Sequence, residues 1–317
     1  MPAFSASAPG KTILFGEHAV VYGHPAIAVP LPDISLTVIV QALPNQKKIR
    51  VVNKGLDEDF FLDEKESENL YAFALDTIRY TLRISHLPAM QLTISSSIPP
   101  ASGLGSSAGF AVAITKAVTS FLGFRLALED LNDIAFEIEK KQHGTPSGID
   151  NSVVCYQKPI FFRKGQPVEF INTRKPLTLV LANSGILSLT KEAVDQIREK
   201  RKKETEFVDQ IFNQIGIITN SVRPKIEQGD LESIGQLMLE NHQLLKELGL
   251  SLEKLDDLVE TSMRSGAYGA KLCGSGKGGY VVALVPPDQA IKVEQALLET
   301  GAESCLVTTI APNKGVL

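Results

Sequence analysis

Between Met90 and Leu122 an alternating stretch, a Gly/Ser turn and an apolar run follow one another without a gap. Met90, Leu92, Ile94 and Ile98 alternate with polar neighbours, so residues 90–98 read as a half-buried strand. Ala108 to Leu122 is rich in Ala, Val, Ile and Phe, has no proline, and reads as a buried helix. The two are joined by Pro99-Pro100-Ala101-Ser102-Gly103-Leu104-Gly105-Ser106-Ser107. A turn of this kind before a helix N-terminus suits an anion, because backbone N–H groups converge there and the helix dipole favours negative charge. Gly103 and Gly105 let the chain approach a phosphate with no Cβ in the way. Ser106 and Ser107 add hydroxyls for a phosphate or a hard cation. An ordinary Gly-rich turn with a serine cap fits the same residues. The stretch is neither a Walker A loop nor GxGxxG.

Before this unit, Phe4–Ser7 reads as a short strand and Ala8-Pro9-Gly10 as a turn. An apolar run follows, with Lys11 at one end and Glu17-His18 at the other. Charges so placed line a cleft, or form a surface Lys–Glu pair beside a turn histidine. Val29–Val40 continues as strand, Asp57–Glu68 as an acidic solvated connection, and Asn69–Leu82 as a helix. Glu129–Gln142 is a helix with a stripe of Leu131, Ile134, Ala135 and Ile138. Glu139 stands beside that stripe near the C-terminal end, where the dipole disfavours a carboxylate unless a cation is near. His143–Asn151 is a loop, and Ser152–Tyr156 is expected to be strand. Asp150, at the loop's end, fits a catalytic base or an Asx turn.

From Pro176 the pattern changes. Leu177–Ala182 reads as strand, followed by helices over Lys191–Asn220, Leu231–Leu248 and, capped by Ser251, up to Arg264. The strand Tyr268–Cys273, the loop Gly274–Gly279, the strand Tyr280–Val285, the helix Pro287–Thr300 and the strand Ser304–Ile310 complete the pattern. The class is α+β, with a domain boundary near Arg174-Lys175-Pro176. A chain of 317 residues is long for one domain and comfortable for two. A net charge of -4 offers no basic footprint for nucleic acid. Three widely spaced cysteines, Cys155, Cys273 and Cys305, argue for a reducing compartment rather than a disulfide framework. No signal-like N-terminus is apparent, and the apolar stretch Val20–Val40 contains three prolines, His24 and Asp33, so neither secretion nor a membrane span is expected.

Three specific stretches occur in fixed order: Ala8-Pro9-Gly10-Lys11 with Gly16-Glu17-His18, then Pro99 to Ala108, then Lys271 to Gly279. Together they resemble the motifs of the GHMP kinase superfamily. Gly16–Gly23 and Gly144–Asn151 are similar to the branch that phosphorylates mevalonate. The resemblance implies an α+β, two-domain fold: a ribosomal protein S5 domain 2-like N-terminal domain over 1–174 and a ferredoxin-like C-terminal domain over 175–317. It implies ATP- and Mg²⁺-dependent phosphorylation of the 5-hydroxyl of (R)-mevalonate by a cytoplasmic enzyme, and it allows a homodimer. ATP would meet Lys11, Ser96, Pro100, Ala101, Ser102, Gly103, Leu104, Gly105, Ser106 and Ser107. Ser107 and Glu139 would hold Mg²⁺, Asp150 would be the catalytic acid/base, and Lys11 its partner. Glu17, His18, Ser147, Asp150 and Thr190 would receive the substrate. A carboxylate that accepts the proton of a poorly nucleophilic alcohol is typically worth about 10²–10⁴-fold. Mg²⁺ keeps several waters, so one Ser, one Glu and the phosphates suffice. Ser275 and Lys277 interrupt a third motif that is usually a nearly unbroken Gly/Ala run, and Phe110 stands where many relatives have tyrosine. Alternatives are a kinase for another small alcohol, the tertiary 3-hydroxyl or phosphomevalonate among them, and a non-catalytic sensor.

Overall fold

The computed structural model describes residues 3–62, 69–100, 102–144, 146–188 and 190–312. The chain divides into two units. The first comprises residues up to Gly10, Asp33–Pro100 and Gly105–Gln157, and the second Lys11–Pro32, Ala101–Leu104 and the chain from Lys158 onwards.

The first unit draws on β1 (Ala3–Phe15), β2 (Ala26–Ala42), β3 (Arg50–Asn53), β4 (Glu58–Phe61) and β5 (Met90–Ser96). The order is β4-β3-β5-β2, with β1 also paired to β2. β3 and β5 run parallel, and Val51 stands opposite Leu92. The turn expected at Ala8-Pro9-Gly10 is instead part of β1. Pairing with β2 overrides the local turn preference: the Ser7 hydroxyl meets Thr37 Oγ1 at 2.9 Å, while Ala6, Ala8 and Gly10 are buried. Proline is tolerated in such a strand where its missing N–H costs no ladder bond. β4 likewise lies where a solvated connection was expected, and residues 63–68 of that stretch fall outside the described residues. It is tied to β3 by Arg50, whose guanidinium spans Asp59 at 2.8 and 2.6 Å.

The helices of this unit are α1 (Leu70–Thr81), α2 (Ser106–Phe121), α3 (Leu128–His143) and α4 (Ile149–Tyr156). Asn69 caps α1 by accepting from the N–H groups of Tyr71 and Ala72 at 2.9 and 3.3 Å. α2 is apolar on nearly every side and is correspondingly sunk in the core, with every residue from Ala108 to Thr115 buried. Phe110 packs edge-on against Tyr71, ring centroids 5.5 Å apart. α4 replaces the strand expected over Ser152–Tyr156. A five-residue apolar run cannot separate helix from strand by periodicity. Here polar anchoring decides: Ser152 Oγ donates to Gly148 O at 2.7 Å, and Asn151 Nδ2 donates to Asn132 Oδ1 on α3 at 2.7 Å.

In the second unit the start of β2 pairs with β6 (Ile160–Phe162), which pairs with β7 (Glu169–Phe170). A separate antiparallel sheet has the order β11-β8-β10-β9, from β8 (Leu177–Asn183), β9 (Gly269–Cys273), β10 (Tyr280–Val285) and β11 (Ser304–Ile310). Its helices are α5 (Thr190–Lys203), α6 (Thr205–Gln228), α7 (Leu231–Glu247), α8 (Glu253–Arg264) and α9 (Ala290–Glu299). The single helix expected over Lys191–Asn220 is two, broken at Glu204, whose φ of -131° is not helical. Lys200, Arg201, Lys202 and Lys203 complement the C-terminal dipole of α5. Arg201 then reaches Asp209 of α6 at 2.5 and 3.0 Å and lies over the Tyr22 ring. Leu252, not Ser251, holds the cap position of α8, and the Ser251 hydroxyl donates to Asp256 Oδ1 at 2.6 Å.

α7 runs directly against the edge strand β9. A Cβ on Gly235 would stand 2.1 Å from the Tyr268 carbonyl oxygen, and one on Gly269 would stand 2.0 Å from Gly235 O. Further along α7, His242 Nδ1 accepts the Leu272 N–H at 3.3 Å, so its proton sits on Nε2, which faces Asp256 Oδ1 at 3.2 Å. No helix among the described residues is long and apolar enough to cross a membrane.

Candidate active site

The Gly/Ser turn delivers an open helix N-terminus. Gly103 and Gly105 adopt φ of 72° and 89°, and Gly105 is the residue before α2. The first N–H groups of a helix have no intrahelical partner, and Gly105 has no side chain to cap them. Ser102 Oγ accepts the Leu104 N–H at 3.2 Å and shapes the turn. Leu104 buries its side chain, and its carbonyl accepts the Lys11 N–H at 2.9 Å. Ser106 and Ser107 are half-buried at the start of α2, and Pro100 is exposed. Ser96 Oγ accepts the Ile98 N–H at 3.0 Å. Ala101 lies outside the described residues.

Ser107 and Glu139 are brought together, in the first unit, by the packing of α2 on α3. The Ser107 hydroxyl is hydrogen-bonded to Glu139 Oε1 and to Gln142 Oε1. Glu139 is only 2% exposed. A hydroxyl has one hydrogen, so it cannot donate to both acceptors at once. A hard cation would satisfy all three oxygens, and hydroxyl, carboxylate and amide oxygens are the donor set Mg²⁺ prefers. These residues therefore fit a Mg²⁺ ion completed by water and phosphate oxygens. No group of three or more His, Cys, Asp and Glu side chains that could hold a metal is found among the described residues. Gln142 was not singled out from sequence. Its only signal is its place three residues after Glu139, on a neighbouring position of the same helix.

Asp150 sits half-buried in the first turn of α4, behind Gly148 with φ 94°. A carboxylate in a first turn is favoured by the helix dipole. Ser147 Oγ accepts the Ile149 N–H at 3.4 Å, in the same turn.

The second unit holds a buried polar cluster. Lys11 is 4% exposed, Glu17 1%, His18 8% and Lys271 0%. The partner of Glu17 is Lys271 on β9: the ammonium donates to Glu17 Oε1 and to Leu272 O. Lys11 and Glu17 are both buried, so of the two sequence readings the surface Lys–Glu pair does not hold. Burial pushes the Glu17 carboxyl up from the usual carboxylate range, and Lys271, with a lesser part from Lys11, pulls it back. His18 has φ 59°, and its Nε2 donates to the Ser275 carbonyl at 2.9 Å. Burial lowers the imidazole to about 4, against the opposing hydrogen bond to Ser275, so it is neutral near pH 7. Lys271 was not picked out as a site residue. The signal was present, because a lysine inside Gly269–Cys273 interrupts an otherwise wholly buried apolar strand.

The third Gly-rich loop is tied on several sides. Lys277 N–H donates to Leu250 O at 2.7 Å and Gly279 N–H to Ile186 O at 2.8 Å. Ser188 Oγ donates to Gly276 O at 2.6 Å and lies 2.8 Å from Ser275 Oγ. Thr190 opens α5 two residues later, and its side chain falls outside the described residues.

The family description "GHMP kinases N terminal domain" matches residues 69–158, and "GHMP kinases C terminal" matches residues 222–303. The mevalonate kinase of Thermococcus gammatolerans is 36% identical over 310 residues, covering 90% of this chain and 90% of its own. Among solved structures, L. major mevalonate kinase in complex with R-mevalonate superposes with a TM-score of 0.85 at 27% identity, covering 98% of this chain and 96% of that one. The Methanococcus jannaschii mevalonate kinase gives a TM-score of 0.85 at 27% identity, with 99% of each chain covered.

Proposed function

This chain belongs to the GHMP kinase family, an ATP-dependent kinase family, and from that premise we propose that it is a mevalonate kinase, phosphorylating the 5-hydroxyl of (R)-mevalonate. The observation that carries the substrate is the 36% identity to a mevalonate kinase across nine-tenths of both chains. We read the chain as N- and C-terminal domains over 1–174 and 175–317, a division supported by family matches on either side of it. A cytoplasmic location belongs to the same reading, which allows a homodimer.

In this reading the backbone from Gly103 to Ser107 and the first turn of α2 receive the ATP phosphates. Ser107 and Glu139, joined by Gln142, hold Mg²⁺, which neutralises phosphate charge when bound. Asp150, in the first turn of α4, accepts the proton of the substrate hydroxyl. Lys11 supplies positive charge for the developing alkoxide and the transferring group. Glu17 and His18 offer the alcohol a carboxylate and a neutral imidazole, with Ser147 and Thr190 completing the set. Phosphoryl transfer asks little covalent chemistry of the protein, so placement of these charges is the main contribution.

The test is ADP release with mevalonate, phosphomevalonate, homoserine and galactose, each with ATP and Mg²⁺. Turnover with mevalonate alone, and a product bearing phosphate on the primary hydroxyl by phosphorus NMR, is the expected result. Phosphate on the tertiary hydroxyl would make it a 3-kinase, and no turnover with any of the four would favour a sensor.

A further inference from the structure

We propose that Lys271 is a positioning residue for the alcohol substrate, acting through Glu17: its ammonium occupies one carboxylate oxygen and leaves the other as a fixed acceptor for a substrate hydroxyl. This rests on the kinase reading above and assigns a role to a residue that reading does not use. The two side chains come from segments 254 residues apart in sequence, and both are almost wholly shielded from water. Lys271 Nζ spends two donors, on Glu17 Oε1 and on Leu272 O. Glu17 Oε2 is buried and has no hydrogen-bond partner in the protein.

Stability does not account for this arrangement. A buried ion pair is often no more stabilising than an apolar pair of the same volume, and a buried acceptor left unpaired costs more still. A buried carboxylate with one oxygen clamped and the other unpaired is, by contrast, what a hydroxyl-binding site requires. The clamp is itself held firmly. Lys271 stands opposite Val282 on β10, and the next N–H along β9, that of Leu272, is bound by His242 of α7.

The charged and titratable groups facing Glu17 are Lys11 from β1, His18 beside it in sequence, and Lys271 and Cys273 from β9. His242 of α7 also lies within electrostatic reach of Lys271. His18 and His242 are both held neutral by burial, which leaves the two lysines as the cations that oppose protonation of Glu17. Without Lys271 the carboxyl is pushed further up by burial and holds a proton more readily. Oε2 then no longer serves as an ionised acceptor.

The experiment measures KM for mevalonate and for ATP, and kcat, across pH for wild type, Lys271→Met, Lys271→Arg, Glu17→Gln and the double variant Lys271→Met with Glu17→Gln. At the acidic end of the range Lys271→Met should raise KM for mevalonate by roughly 10-fold or more, the scale of one hydrogen bond to a charged group, with KM for ATP little changed. That defect should shrink as pH rises and Glu17 gives up its proton. Lys271→Arg keeps the charge and should show no new pH dependence. Glu17→Gln should lose mevalonate affinity equally at every pH, and the double variant should match it, because Lys271 has nothing left to act through. A Lys271→Met defect that is flat with pH, or a double variant worse than Glu17→Gln by the full single-variant factor, overturns the proposal. If Lys271→Met does not fold by circular dichroism, the neutral double variant compared with Glu17→Gln decides alone. Absence of wild-type turnover defeats the kinase reading and this proposal together, whereas wild-type turnover with either adverse variant result defeats this proposal alone.

Discussion

Replacing Gly235 by alanine sets two effects of known size against each other. In a helix interior alanine is favoured over glycine by about 1 kcal/mol. At this position, however, the new Cβ would stand 2.1 Å from Tyr268 O, 2.2 Å from its carbonyl carbon and 2.7 Å from Gly269 N. All three are backbone atoms, so no rotamer change can clear them. Ordinary contact lies at about 3.5 Å, so α7 must retreat from β9 by roughly 1 Å. Overpacking of this kind costs about 1–3 kcal/mol. The retreat also stretches the His242–Leu272 hydrogen bond, which is already 3.3 Å long, and stranding that N–H adds about 1 kcal/mol or more. Taking about 3 for the clash, about 1 for the hydrogen bond and subtracting about 1 for propensity gives a loss of about 3 kcal/mol. Urea unfolding followed by circular dichroism measures it, with a lowered midpoint and an unchanged slope as the expected result. A Gly235→Ala protein as stable as wild type, or more so, would refute the reasoning, because propensity alone would then govern the site.

Three further outcomes are expected. Asp150→Asn should keep the fold and ATP affinity but lower kcat at least about 10²-fold, the scale of lost general-base help, and wild-type turnover would remove Asp150 from the mechanism. Ser107→Ala and Glu139→Gln should each raise the Mg²⁺ concentration for half-maximal rate, and their effects should be non-additive because both touch one cluster; an unchanged Mg²⁺ requirement in either variant makes that residue structural. His18 is lowered to about 4 in the folded chain from 6.5, so the unfolded chain binds more protons between those values. Its contribution is present in full above pH 6.5 and is lost as pH falls towards 4, about 3 kcal/mol in all. The stability difference between wild type and His18→Gln should therefore narrow on acidification through that window, and a constant difference would show that His18 titrates normally.

Long elements with a clear period were legible in the sequence. The stripe of Leu131, Ile134, Ala135 and Ile138 marks α3 to within one residue at each end, and the helix expected over Asn69–Leu82 is α1, one residue shorter at each end with Asn69 as its cap. The errors lie where local preference meets a partner distant in sequence. Pro9 and Gly10 signal a turn to their neighbours, yet β2 recruits them into a strand. Val153 and Val154 favour extended backbone, yet the polar anchors of Asn151 and Ser152 hold them in a helix. The site divides in the same way. The Gly/Ser turn is visible because glycine positions with positive φ announce themselves locally. The Glu17–Lys271 pair is not, since nothing near residue 17 specifies which of the chain's lysines will neutralise it.

The ties on the third Gly-rich loop have a thermodynamic consequence. A loop that is glycine at 274, 276, 278 and 279 would ordinarily sample many backbone states and surrender them on meeting a ligand. Here Leu250 and Ile186 hold the amides of Lys277 and Gly279, Ser188 holds the Gly276 carbonyl, and His18 holds that of Ser275. The loop's freedom is thus given up during folding, before any ligand arrives. Association at this loop should carry little of the unfavourable ordering entropy that accompanies a mobile glycine loop, and its amides at 277 and 279 should exchange slowly with solvent even in the unliganded protein.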